Sequence, residues 1–190
     1  MRAPLGPIAC TLVALATAGP AAAEPRAAAV GPYAEASLGA AGFLGAGGQY
    51  SHPGPAFAVR GGVDVFSWLS LGARVELETH QADVPPPPEG EYFQLYIGAA
   101  DGRLGFQVGR VALFADGSLG LAFMSTNVLA KVDLVGPGES WSPLLSAGGG
   151  LEYQLQNRHY AFGLAGQWSV LSSFAGMQSL GGRAYLRYTY

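Results

Sequence analysis

Two sets of side chains in this sequence are suited to chemistry: three histidines, and a series of carboxylates and arginines on alternate residues. Nucleophilic hydrolysis needs a nucleophile, a base and an orienting carboxylate within hydrogen-bond reach. His52 and His80 fall in or beside predicted outer loops and His159 at a short turn. None is followed by a serine, so solvated histidines are expected and no catalytic residue is assigned. Metal-ligand spacing is absent, and neither a metal nor another cofactor is expected. Gly45-Ala46-Gly47-Gly48 has the composition of a phosphate-binding loop, but no helix is predicted after it.

The charged series is more ordered. Glu35, Arg60, Asp64, Arg74, Glu76, Glu78, Asp101, Arg103, Asp116, Glu152, Arg183 and Arg187 each occupy one parity of an alternating segment, opposite apolar residues. Five are positive and seven negative. Buried together, such residues would form a hydrogen-bonded ion-pair network. Arginine suits confined pairs because its planar fork matches a carboxylate. A solvated face would use lysine freely, and the chain has only Lys131, in a predicted loop.

The positioning elements are strands, because the apolar period is two. Eight segments show it: Tyr33–Phe43, Ala56–Phe66, Leu69–Thr79, Tyr92–Phe106, Val111–Met124, Pro143–Leu155, His159–Leu171 and a terminal segment from about Leu180 to Tyr190. The third is the clearest, with Leu69, Leu71, Ala73, Val75 and Leu77 against Ser70, Arg74, Glu76 and Glu78. In the fourth, Phe93, Leu95 and Ile97 have one parity and Leu104 and Phe106 the other. A bulge at Ala99-Ala100-Asp101-Gly102 is therefore expected, putting all five on the apolar face. Connections alternate between long ones, after strands one, three, five and seven, and short ones around Ser67-Trp68, Gln107–Arg110 and Gln156–Arg158. Pro85–Pro88, in the second long connection, reads as a stiff extended segment. The glycines at 61–62 and 148–150 read as places of close strand approach.

The first residues carry Arg2, an apolar run from Ile8 to Ala18, a Gly19-Pro20 break and three alanines before Glu24. That is the layout of a secretory signal peptide over 1–23, with cleavage expected after Ala23. Cys10, the only cysteine, lies inside it, so the mature chain has no disulfide. Removing Arg2 leaves nine basic against thirteen acidic residues, net −4, a balance that argues against nucleic acid. Only 12% of residues are charged and 29 are glycine. A water-soluble domain carries about 25% charged residues. A membrane protein without spanning helices satisfies its backbone in a closed β-barrel. The expected fold is therefore all-β: a closed antiparallel up-and-down eight-stranded transmembrane β-barrel over 24–190. Its apolar residues would face lipid, with Phe57, Phe93, Phe123 and Trp168 girdling one rim. Phe106, Tyr153, Tyr160, Tyr188 and Tyr190 would girdle the other.

Across 24–190 the chain resembles the small eight-stranded outer-membrane barrels of Gram-negative bacteria, the OmpX and OmpA transmembrane-domain type. The resemblance rests on the strand pattern and on the C-terminal Leu186, Tyr188 and Tyr190 at every second position. It implies that these three residues form the signal read by the barrel-assembly machinery, although such chains more often end in Phe than in Tyr. It also implies Sec-type export to the outer membrane and contact with lipid and lipopolysaccharide. No peptidoglycan-binding domain is expected after strand eight.

Eight strands leave an interior just wide enough for side chains. The twelve charged residues with Tyr33, Tyr96 and Tyr185 would fill it, so a monomer without an open pore is expected. The role would be non-enzymatic, either structural or a protein contact made by the outer loops. The alternatives are small-solute passage and lipid-A modification by a lipid-facing Ser/His/Glu site. Asp83, Glu89, Glu91, Asp133 and Glu139 against Lys131 form an acidic rim suited to divalent cations bridging to lipopolysaccharide.

Overall fold

The computed structural model describes residues 30–84, 91–157 and 159–190. Within them run β1 (Pro32–Phe43), β2 (Gly54–Phe66), β3 (Leu69–Gln81), β4 (Tyr92–Val108), β5 (Val111–Met124), β6 (Trp141–Gln154), β7 (Tyr160–Leu171) and β8 (Met177–Thr189). Each pairs antiparallel with its sequence neighbours, and β8 closes on β1 from Tyr33 opposite Thr189 to Phe43 opposite Ser179. The result is a closed up-and-down barrel without a free sheet edge. The expected signal segment, Cys10, Pro85–Pro88 and Glu89 lie outside the described residues.

Alternation builds this wall directly. Leu38, Val59, Leu71, Val75, Leu104, Leu119, Leu121, Leu145, Leu164 and Leu186 all stand exposed on its outside. The strands join at one end through the two-residue turns Ser67-Trp68 and Gly109-Arg110 and through 155–159. Gly109 has φ 63°, a left-handed value that glycine adopts without a steric cost. At the other end are the connections 44–53, 82–91, 125–140 and 172–176. Two of these carry short helical turns, Ala46–Gln49 and Val128–Val132, where the sequence was read only as long connections.

β4 departs from expectation. Its register is unbroken against β3, from Leu69–Leu104 to Gln81–Tyr92, and against β5, from Val108–Val111 to Leu95–Met124. There is no bulge at 99–102. The parity never flips, so Phe93, Leu95 and Ile97 point inward, and Phe93 is 0% exposed rather than part of a girdle. Tyr96, expected inside, is outside at 43% exposure. Inward apolar residues are tolerated because they have partners: Phe43, Met124, Leu144, Leu171 and Met177 from other strands, and Val128, Leu129, Val135 and Phe174 from the loops, form one buried cluster with them. The single register shift is between Asp64 and Phe66, next to the Ser67-Trp68 turn.

Candidate functional site

The barrel interior is the candidate site, and it has two layers of different chemistry. Towards the short turns, the charged side chains converge because every second residue of every strand must point in. Glu35, Arg60, Asp64, Arg74, Glu76, Glu78, Asp101, Arg103 and Arg187 are buried. The side chains of Asp116 and Arg183 are under 10% exposed, and that of Glu152 is 18% exposed.

Nearest the turns, Asp64 accepts hydrogen bonds from the Ser70 hydroxyl at 2.5 Å and from Arg187. The Arg187 guanidinium lies 3.9 Å from the centre of the Tyr33 ring. Arg103 reaches Glu35 at 3.2 Å and Glu152 at 3.3 Å while lying over Phe114 at 4.0 Å and Tyr185 at 5.2 Å. The Tyr185 hydroxyl donates to Glu152 at 3.0 Å. Each guanidinium thus gains both an anion and an aromatic face, an arrangement that suits arginine's planar fork better than lysine's compact ammonium.

Deeper in, register sets Arg60 directly opposite Arg74, and the two like charges diverge. Arg60 donates to Asp101 through Nε at 2.8 Å and Nη2 at 2.5 Å, with Asp116 3.7 Å away. Arg74 pairs with Glu76 at 3.3 Å and donates to Gln167. Arg183 shares both neighbours, donating to Gln167 at 2.7 Å and lying 3.6 Å from Asp116. Gln167, Ser118 and Ser146 link this layer, and their alternating polar parity was their only mark in the sequence.

Glu78 is the last carboxylate before the apolar layer. His80 follows it on β3, 0% exposed, with Nε2 3.1 Å from Glu78 and Nδ1 3.3 Å from the carbonyl of His52. Its ring stands 4.7 Å from that of Phe43 and 5.3 Å from that of Phe93. His80 is therefore a packed, partnered side chain and not the solvated loop histidine expected. His52 is exposed, 4.0 Å from Asp83. His159 donates from Nδ1 to the carbonyl of Thr189 at 2.8 Å. The three are not brought together with a serine and a carboxylate. Among the described residues no cluster of three or more His, Cys, Asp or Glu is placed to hold a metal ion.

The space left is small. A cavity of about 70 Å³ opens among Asp64, Arg103, Glu152 and Arg187 at the turn end, and another of about 20 Å³ lies by Glu76, Glu78 and Arg183. A cavity needs only about 10–15 Å³ of such space to hold a water, so these have room for ordered waters between the charged side chains. The loop end is filled by the apolar cluster, in which Phe93, Leu129, Leu171 and Phe174 are fully buried.

Leu186, Tyr188 and Tyr190 stand on the outer face of the closing strand, with Tyr188 4.8 Å from both the Tyr160 and the Tyr190 rings. On the loop rim, Lys131 donates to Glu91 at 2.9 Å, while Asp83, Asp133 and Glu139 are spread along separate stretches of loop.

No family model and no curated protein sequence matches the chain. Solved structures do match. Neisserial surface protein A aligns at a TM-score of 0.61 with 16% identity, covering 84% of this chain and 97% of that one. The outer membrane protein OprG from Pseudomonas aeruginosa aligns at 0.56 with 10% identity, covering 86% and 98%. At such identities the likeness is one of architecture. Strand number and closure agree with it: this chain has the fold of the small eight-stranded outer-membrane β-barrels.

Proposed function

We propose that the protein is exported by a Sec-type signal to the outer membrane of a Gram-negative cell and stands there as a monomeric barrel without an open pore. Its long connections face outward, towards lipopolysaccharide. Its role is non-enzymatic: structural, or carried by protein contacts of the outer loops. On this reading Leu186, Tyr188 and Tyr190 serve the assembly machinery. The outward apolar wall supports the membrane placement, because a continuous belt of exposed Leu, Val and Phe in water would aggregate.

The observation that carries the reading is the sealed loop end. Phe93, Leu95 and Leu171 close it from the wall and Leu129 and Phe174 from the loops. A water-filled path would have to expel this cluster. Purified protein reconstituted in planar bilayers is expected to show no large, stable conductance. Sustained channel openings would overturn the closed-barrel reading.

A further inference from the structure

His80 is a titratable side chain buried where the functions above do not use it. It points inward near the loop end of β3, 0% exposed, between the rings of Phe43 and Phe93. Gly54 on the facing strand lets the backbones approach there: a Cβ on it would lie 1.7 Å from the Thr79 carbonyl oxygen and 3.4 Å from the His80 Cα.

Both ring nitrogens meet acceptors. Nε2 is 3.1 Å from Oε2 of Glu78, and Nδ1 is 3.3 Å from the carbonyl oxygen of His52. A neutral imidazole carries one N–H and one lone pair. Beside an ionised Glu78 it satisfies one acceptor and turns its lone pair on the other. The arrangement is fully bonded only when the His80–Glu78 pair holds two protons, both on the ring or one on each side chain. A single proton therefore decides whether the second contact exists.

That contact crosses from the wall to a loop. His52 belongs to the 44–53 connection, in which Gly47 is buried with the Met177 side chain against it and Tyr50 packs on the apolar plug. Backbone bonds also tie this connection down, from Leu44 N–H to Gln178 at 2.9 Å and from His52 N–H to Gln81 at 2.8 Å. Neither of these titrates. The charged groups around His80 are few. Gly54, Phe43 and Phe93, packed on it from β2, β1 and β4, bring none. Glu78 lies on its own strand and shares the cavity of about 20 Å³ with Glu76 and Arg183. The His52 ring is exposed, 4.0 Å from Asp83.

We propose that the His80–Glu78 pair is a proton-operated latch, which holds the 44–53 connection on the plug when it carries its second proton and loosens it otherwise. The docked connection is the state that binds this proton, so docking is favoured at low pH and weakens as pH rises. The latch depends on the sealed loop end and not on the surrounding lipid.

The test is hydrogen exchange of the folded barrel in micelles, read at the amides of 44–53 and corrected for the intrinsic effect of pH. It is made at about pH 5 and about pH 8, on the two sides of an ordinary histidine titration. In the wild type, protection of the Tyr50 and His52 amides should fall about tenfold, the loss of one hydrogen bond to a charged group. Glu78→Gln offers Nε2 either a donor or an acceptor, so protection should stay high at both values. His80→Phe keeps the ring packing without either bond, and protection should be low at both. His52→Asn keeps the carbonyl without the exposed ring and should behave as wild type. A flat wild-type profile, or an unchanged pH response in Glu78→Gln, overturns the latch. A flat His52→Asn profile moves the sensor to the exposed His52–Asp83 pair and overturns it equally. Should His80→Phe not fold, as heat-modifiable gel mobility reports, the other two variants still decide. Channel openings at both pH values would count against the closed barrel alone and leave the exchange results to judge the latch.

Discussion

The hydroxyl of Tyr33 lies over Gly72 so closely that a Cβ on Gly72 would come within 2.5 Å of it, and one on Gly62 within 2.8 Å. Two strands thus leave out a side chain so that a third can lay a ring across the interior, and that ring carries Arg187. Gly72→Ala must displace Tyr33 and loosen the Arg187–Asp64 pair behind it. A loss of about 1–3 kcal/mol is expected, the range for overpacking a filled interior. Gly61→Ala is the control, because its Cβ would face outward with its nearest neighbour 3.8 Å away. Urea unfolding in micelles measures both, and a Gly72→Ala variant as stable as the control would reject this packing.

Arg60 and Asp101 are each 3% exposed in their side chains. Removing Arg60 strands Asp101, and removing Asp101 leaves Arg60 to the more distant Asp116 at 3.7 Å. Asp101→Ala should therefore destabilise by about 3–5 kcal/mol, whereas Arg60→Met combined with Asp101→Leu should recover most of that loss. The same unfolding assay decides it. Additive losses in the double variant would mean the two side chains do not depend on each other.

Phe93 and Phe57 separate the two faces of the wall. Phe93 is 0% exposed in the sealed loop end, while Phe57 stands outside at 45% exposure. Phe93→Ala leaves a cavity and should lose about 3–5 kcal/mol. Phe57→Ala opens none and should lose much less. Unfolding in lipid vesicles, where the outer face keeps its solvent, compares them. The reverse order would turn β4 inside out.

Leu119, 66% exposed, faces outward near the middle of β5. Leu119→Arg should cost about 2–4 kcal/mol in a bilayer, the range for a cation at the midplane of a barrel's lipid face. A polar substitution on a water-facing strand would cost little. Reversible folding into vesicles gives the number, and a neutral result would argue that this face meets water.

Much of the architecture was legible from alternation alone. Val111–Met124 has the bounds read from sequence, and Leu69–Gln81 extends the predicted strand by two residues. The interior parity of Glu35, Arg60 and Arg187 follows from the same period, since a strand cannot turn one residue without turning the next. β4 misled because the period assigns faces but does not say which face is apolar. Phe93, Leu95 and Ile97 looked outward-facing by type, and a bulge was the local device that could reconcile them with Leu104 and Phe106. His80 misled for a related reason: a histidine near a loop is ordinarily wet, and only the rings of Phe43 and Phe93, 37 residues before and 13 after it, make this one dry.

By itself, then, the sequence determined the number of strands, their closure order and the separation of charged from apolar parity, because these depend on a two-residue repeat and on short connections between neighbours. Only the tertiary structure decided what meets across the interior: that Arg103 spans Glu35 and Glu152, that Tyr33 rests on Gly72, and that wall and loop residues close one end with an apolar plug. Those contacts join residues from different strands at the same height, and height is set by the stagger of eight registers around the closed wall, which no single segment encodes.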